Sequence, residues 1–204
     1  FMGTLTASLT YLRTIKVDWG LAWPLLVAAA IGSWTGAQLT HFLPRQHFTP
    51  LVLFAVVSVG WYTWRRPNLG LHAAVKHTGN DARLRMAAIG LVVGLWDGFI
   101  GPGTGTFFVL ALVSVIGHDF LASTALAKLA NLTTNASAIV AFAITGNILW
   151  GLGLAMGVAN LTGGYLGART ALTRGNAFIR KVFLLVVGAL AIKLAWDTFF
   201  THWG

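Results

Sequence analysis

Long apolar stretches separated by short polar ones run the length of the chain. Apolar runs of 17 or more residues recur at 19–40, 48–64, 119–145, 148–168 and 182–200. Each is long enough to cross a hydrocarbon layer about 30 Å thick as a single helix. Residues 1–12 read as the second half of a further span. The pattern predicts an all-α, polytopic transmembrane protein.

One apolar region is interrupted. The stretch GLWDGFIGPGTGTFF, residues 94–108, holds an aspartate, a proline and five glycines. As helices, the flanking pieces Arg85–Gly101 and Gly103–Gly117 would each be about 22 to 25 Å long, short for a full span. Pro102 removes a backbone donor and disfavours helix at Gly101, while Gly101 and Gly103 tolerate backbone angles closed to other residues. Broken backbone at membrane depth has to face protein or water. Proline suits the first turn of a helix, so a new helix is expected to start here. It would present the amides of Gly103, Thr104, Gly105 and Thr106, and the positive end of its dipole, to an anion. A plain interhelical turn at the membrane surface is the alternative. Whether the pieces form a re-entrant hairpin or two short spans, both ends return to one side.

The next segment, STALAKLANLTTNASAIVAF, carries a lysine and a polar cluster deep in a span. Thr124, Lys128, Asn131 and Asn135 follow one another at four, three and four residues, which puts them on one helix face. Thr134 and Ser137 lie beside that stripe. The face offers an ammonium, two amides and hydroxyls, chemistry suited to an oxyanion, and an ionisable group inside a membrane marks a functional pathway. Snorkelling of Lys128 to the interface, or a structural pair with Asp97, is the blander reading. Asp97 lies next to the glycine break. Burial and a nearby lysine pull a carboxylate's proton affinity in opposite directions, so Asp97 is the candidate for proton coupling.

Composition excludes a soluble domain: 56% of residues are apolar, 9% are charged and mean hydropathy is +0.74. The chain has no cysteine and no glutamate, and its five aspartates against 14 Lys and Arg leave a net charge of +9. In a soluble protein that excess would suggest nucleic acid. Here it follows the loops. A single threading puts eleven of the twelve loop cations on one side, Arg45 being the exception, while Lys128 and Lys193 lie within apolar segments. The basic side is expected to be cytoplasmic and the C-terminus outside.

The chain also repeats itself. WGL, ten residues, then GxxxGA occurs from Trp19 to Ala37 and again from Trp150 to Ala168. The first copy leaves the cytoplasm and the second returns to it, so the repeats are expected to be inverted, as in many secondary transporters. Close packing through small residues is the expected direct role of each GxxxGA. The expected organisation is 1–64 as the remainder of a first repeat, 65–85 as a cytoplasmic linker with Pro67, Gly70 and Gly79, and 86–204 as the second repeat. The counterpart of Asp97 would precede Phe1, so the sequence is expected to begin within a longer protein of roughly 250 residues.

WDGFIGPGTGTFF, then AKLANLTTN, then GxxxGAR resemble the second half of the sulfite exporter TauE/SafE family, most closely its YfcA-like bacterial branch. FMGTLTASLTYLR resembles the end of the family's first-half motif, in which an Asn and a Lys would precede Phe1. The resemblance covers nearly the whole chain. It implies a multi-pass transporter of the bacterial inner membrane for sulfur-containing anions such as sulfite, sulfonates or thiosulfate. Carried over residue by residue, it maps the glycine break to Gly101, Pro102, Gly103 and Gly105 and the polar helix to Lys128, Asn131 and Asn135. Many relatives have denser glycines where this chain has Pro102 and Thr104.

The expected substrate site is therefore Gly101, Gly103, Thr104, Gly105, Lys128, Asn131 and Asn135, with proton coupling at Asp97. No catalytic residue, cofactor or metal site is expected. The six histidines lack metal-site spacing, and HExxH and GxSxG are missing. Expected partners are the bilayer, a small anion and a second copy in a homodimer, with no nucleic acid. Lys193 and Asp197 are expected to pair at the interface, Arg169 to anchor a helix end, and the tryptophans, among them Trp61, Trp64 and Trp203, to form interfacial belts. An anion channel or an accessory structural subunit is the alternative to an exporting carrier that works by alternating access. On the topology, cysteines introduced at Lys76 and Gly175 should resist an impermeant reagent in intact cells while one at Arg45 reacts. Labelling of 76 and not of 45 would overturn the orientation.

Overall fold

The computed structural model describes residues 1–39, 48–144, 146 and 148–200. Among them the elements are α1 (Met2–Leu12), α2 (Trp19–Leu39), α3 (Phe48–Arg65), α4 (Gly79–Phe99), α5 (Thr104–Ala111), α6 (Phe120–Ile144) and α7 (Trp150–Phe200), with a π-helical turn, Leu112–Ile116, extending α5. No strand occurs among the described residues. The expected spans at 19–40, 48–64 and 119–145 coincide with α2, α3 and α6. Arg45 and Trp203 lie outside the described residues.

Two boundaries differ from the hydropathy pattern for one reason: charge marks where a helix leaves lipid, not where it stops being a helix. The spans expected at 148–168 and 182–200 continue into each other through a basic stretch without proline, and α7 breaks only at Gly175 (φ 70°, ψ −169°). Likewise α4 starts at Gly79, inside the segment expected to be linker. Its first turns carry an exposed Asp81–Arg85 pair one helical turn apart. Arg85 donates to Asp81 and holds its carboxyl below the usual carboxylate range, with His77 adding to the effect. Among the described residues only α2 is both long and apolar enough to qualify as a span by a strict measure. The charged start of α4 and the polar stripe of α6 dilute those two helices.

Helices α2 and α4 form the tightest pair. A Cβ on Gly98 would lie 1.9 Å from the Ser33 carbonyl oxygen, one on Gly94 2.4 Å from that of Ala29, and one on Gly36 2.2 Å from that of Leu95. The first GxxxGA is thus a backbone-contact surface. The second copy differs: Gly163 and Gly167 face nothing within 4 Å, and the contact falls on Gly164, whose Cβ would lie 2.2 Å from Gly3 O.

The linker is sewn to the same end of the bundle. Amides of Ala74 and Lys76 donate to Gly117 and Ile116 at 2.7 and 2.9 Å, and the Phe120 amide donates to Gly70 at 2.8 Å. Asn176, just past the α7 break, accepts from the Leu121 amide (2.7 Å) and donates to the Leu71 carbonyl (3.0 Å). Arg180 donates to the carbonyls of Thr63 and Arg66 at the end of α3. The end of the broken segment therefore lies against residues 70–76, which lead into α4.

A side chain at Gly98 would force α2 and α4 apart, and overpacking of this kind costs about 1–3 kcal/mol. Gly98→Val should lower the thermal midpoint of the purified protein by several degrees, whereas Gly167→Ala should leave it unchanged. Equal midpoints for the two variants would contradict the packing.

Candidate functional site

The break between α4 and α5 has the geometry its glycines allow. Gly101 and Gly103 adopt φ of 90° and 87°, a region L side chains rarely enter. Trp96 braces the turn, its indole N–H donating to the Pro102 carbonyl at 3.2 Å and its ring meeting Phe107 edge-on at 5.1 Å. Gly103 caps α5. Of the four amides expected to be free, two are used locally: Thr104 N–H reaches Gly101 O at 3.4 Å and Thr106 N–H reaches Gly103 O at 2.9 Å. This tight first turn leaves the amides of Gly103 and Gly105 without such a partner among the described residues.

A cavity of about 820 Å³ lies between α1, α5, α6 and α7. The polar face of α6 supplies Thr124, Lys128 and Asn131, and α5 supplies Gly105 and Thr106. Gly105 is what lets the two helices share this wall, because a Cβ there would stand 3.1 Å from Asn131 Nδ2. Asn131 Oδ1 is buried and has no hydrogen-bond partner among the described residues. Asn135 does not line the cavity; it donates at 3.3 Å to the hydroxyl of Thr4, which does. No carboxylate lines the cavity.

Gly101, Gly103 and Thr104 shape the break behind the cavity rather than lining it. Asp97 is also off the cavity, close to the hydroxyls of Thr134 and Thr104. The proposed structural pair of Asp97 with Lys128 is not formed. Ion pairs among the described residues are His77–Asp81, Arg85–Asp81 and Lys193–Asp197, the last as expected. Lys128 therefore brings an ammonium to the cavity with no carboxylate beside it. No cluster of three or more His, Asp, Glu or Cys that could hold a metal occurs among the described residues.

The opposite wall was not anticipated. Thr4 and Tyr11 of α1 and Asn160 and Thr170 of α7 face the same space. Thr4 had a signal in the sequence, since it stands 131 positions before Asn135, the distance from Trp19 to Trp150. Asn160 and Tyr11 had none, because each sits singly in an apolar segment.

A profile of the family described as "Sulfite exporter TauE/SafE" matches residues 1–194. The chain is 31% identical to a "Probable membrane transporter protein" of Haemophilus influenzae, over 98% of this chain and 78% of that protein. It is 31% identical to the "Probable membrane transporter protein ORF9" of a Sinorhizobium species, over 96% and 74% of the two chains. Similarity to the "Probable membrane transporter protein YfcA" of Escherichia coli K12 is 28%, over 98% and 75%. No solved structure matches. The helical architecture, the residue motifs and these relatives agree on a membrane transporter rather than an enzyme, and the chain belongs to the sulfite exporter TauE/SafE family.

Proposed function

We propose that the protein is a secondary transporter of small sulfur-containing anions, of the sulfite, sulfonate or thiosulfate class, exporting them across the bacterial inner membrane by alternating access. The observation that carries this reading is the Lys128 ammonium in a cavity without carboxylates, beside Asn131 and the first turn of α5. Placing an ammonium in a membrane costs about 3 kcal/mol on insertion scales, and an anion held there offsets that cost. The ammonium, the Asn131 amide and the hydroxyl of Thr106 can all donate hydrogen bonds, whereas the Thr124 hydroxyl already donates to the Phe120 carbonyl. Three convergent donors suit the oxygens of a sulfur oxyanion.

Alternating access is supported by the pairing of the helices. Ser33 of α2 donates to the Thr134 carbonyl of α6 at 3.0 Å, while Gly164 of α7 abuts Gly3 of α1. Each residue of the first pair stands one repeat offset from a residue of the second, and the partners are exchanged. Asn135 and Thr4, which touch each other, are 131 positions apart. Contact between equivalent positions is what a twofold axis through the cavity would produce, and substrate sites of inverted-repeat carriers lie at that interface.

Asp97 is assigned to proton coupling through the break and not by contact with the anion. Its partners both act on neighbouring backbone: the Thr104 hydroxyl donates to Gly101 O and the Thr134 hydroxyl to Asn131 O. An ionised carboxylate competes for those hydroxyl protons; a protonated one does not. Proton uptake at Asp97 thereby changes the capping of the break and of the Asn131 turn together.

Lys128→Ala should insert into the membrane normally and weaken sulfite binding about tenfold or more, the loss expected for a charged hydrogen bond. Saturable flux in proteoliposomes would mark a carrier and ohmic conductance a channel. Unchanged flux in Lys128→Ala would remove the lysine from the site. Asp97→Asn keeps the shape but cannot titrate, so it should retain anion counterflow and lose flux driven by a pH gradient. Parental driven flux in that variant would exclude the coupling role.

A further inference from the structure

A second cleft, of about 420 Å³, opens between the first turns of α2 and α4 and shares no lining residue with the anion cavity. It is lined by Trp19, Gly20, Trp23, Pro24 and Arg83. Gly20 keeps it open. A Cβ at that position would lie 3.1 Å from Asp18 Oδ1 and 3.7 Å from Arg83 Nη2, so the Arg83 guanidinium lines the cleft and the Asp18 carboxylate stands at its edge, beside Gly20. Pro24 has no amide proton, which leaves the Gly20 carbonyl without its usual helical donor.

The two charges are not neutralised by each other. Arg83 forms no ion pair among the described residues and reaches only Asn80 Oδ1, at 3.5 Å, whereas its neighbour Arg85 is engaged by Asp81. One oxygen of Asp18 accepts the Gly20 amide at 2.9 Å, and His118 is the other titratable group bearing on it. The indoles of Trp19 and Trp23 stand 53% and 66% exposed, and the same outer face continues along α2 with exposed Val27 and Ile31. Tryptophans at the end of a span, with arginine beside them, mark the headgroup level of a bilayer.

From this cleft we infer a binding site for a phospholipid with a phosphoethanolamine headgroup. The phosphate meets Arg83 and the ammonium meets Asp18, while the glycerol and the acyl chains lie over Trp19, Trp23 and Pro24 onto the apolar face of α2. One cation lining the cleft and one anion at its edge match a zwitterion; a phosphoglycerol headgroup, with the same phosphate and no ammonium, gives Asp18 no ammonium to meet. The inference does not depend on which anion the transporter carries.

The test uses the full chain in mixed micelles holding equal phosphatidylethanolamine and phosphatidylglycerol, with retained lipid counted by native mass spectrometry. One phosphatidylethanolamine per chain should be retained several-fold over phosphatidylglycerol. Arg83→Gln, an exposed change, should abolish retention, and Gly20→Leu should do so by filling the cleft. Asp18→Asn should keep lipid but equalise the two headgroups. Equal retention of both lipids by the parent, or retention unaffected by Arg83→Gln, would overturn the site. So would displacement of the lipid by soluble glycerophosphoethanolamine at equal concentration, which would make it a site for the free headgroup.

Discussion

A helix interrupted inside a membrane leaves backbone polar groups that lipid cannot satisfy, and the rest of this structure is arranged around meeting that constraint. The interruption at Gly101–Gly103 is closed from above by the Trp96 indole on Pro102 O and from within by Thr104 on Gly101 O. Those contacts leave the amides of Gly103 and Gly105 without a backbone partner among the described residues, and Gly105 stands against Asn131. The polar stripe of α6 lies against that opening. Neither element is tenable alone, because α5 would expose unpaired amides and α6 would expose an ammonium and two amides. Together they enclose a polar cavity, and polar groups at membrane depth become chemistry instead of a defect.

The surrounding helices hold that arrangement in place. Backbone-to-backbone packing of α2 on α4 through Gly36, Gly94 and Gly98 carries the broken helix as part of a rigid pair. On the linker side, Asn176 ties the α7 break to both the linker and the start of α6. The position of Lys128 along α6 is therefore referred to two fixed points, the linker at one end and the Ser33 contact to Thr134 at the other. Gly175, whose positive φ interrupts α7, lies at this same node.

Much of this was legible in the residues, for physical reasons. Membrane spans announce themselves because lipid tolerates so few alternatives to a continuous apolar helix, and the break was readable because Gly101, Pro102 and Gly103 have few other uses in such a span. The stripe of Lys128, Asn131 and Asn135 was readable from helical period alone. Helix ends were not: Gly79 and the stretch around Gly175 continue helix through charge, since charge ends a span without ending hydrogen bonding. The separation of Asp97 from Lys128 was also out of reach, because it depends on how α4 and α6 rotate about their axes. The rotation of α4 is set by glycine contacts to α2 and that of α6 by the hydrogen bonds of Ser33 to Thr134 O and of Ser137 to Ala30 O, and hydropathy records neither. The α1 wall with Thr4 could be reached only by treating the 131-residue offset as a contact rule.

On the proposed function, an oxyanion is held between α5 and α6 on the Lys128 ammonium. Crystals of the transporter soaked in selenite, a heavier analogue of sulfite, would locate it by anomalous scattering. A peak is expected within hydrogen-bond distance of Lys128 Nζ and the Asn131 amide, facing the first turn of α5. A peak confined to surface cations such as Arg65 or Arg174, with the cavity empty at saturating selenite, would contradict it.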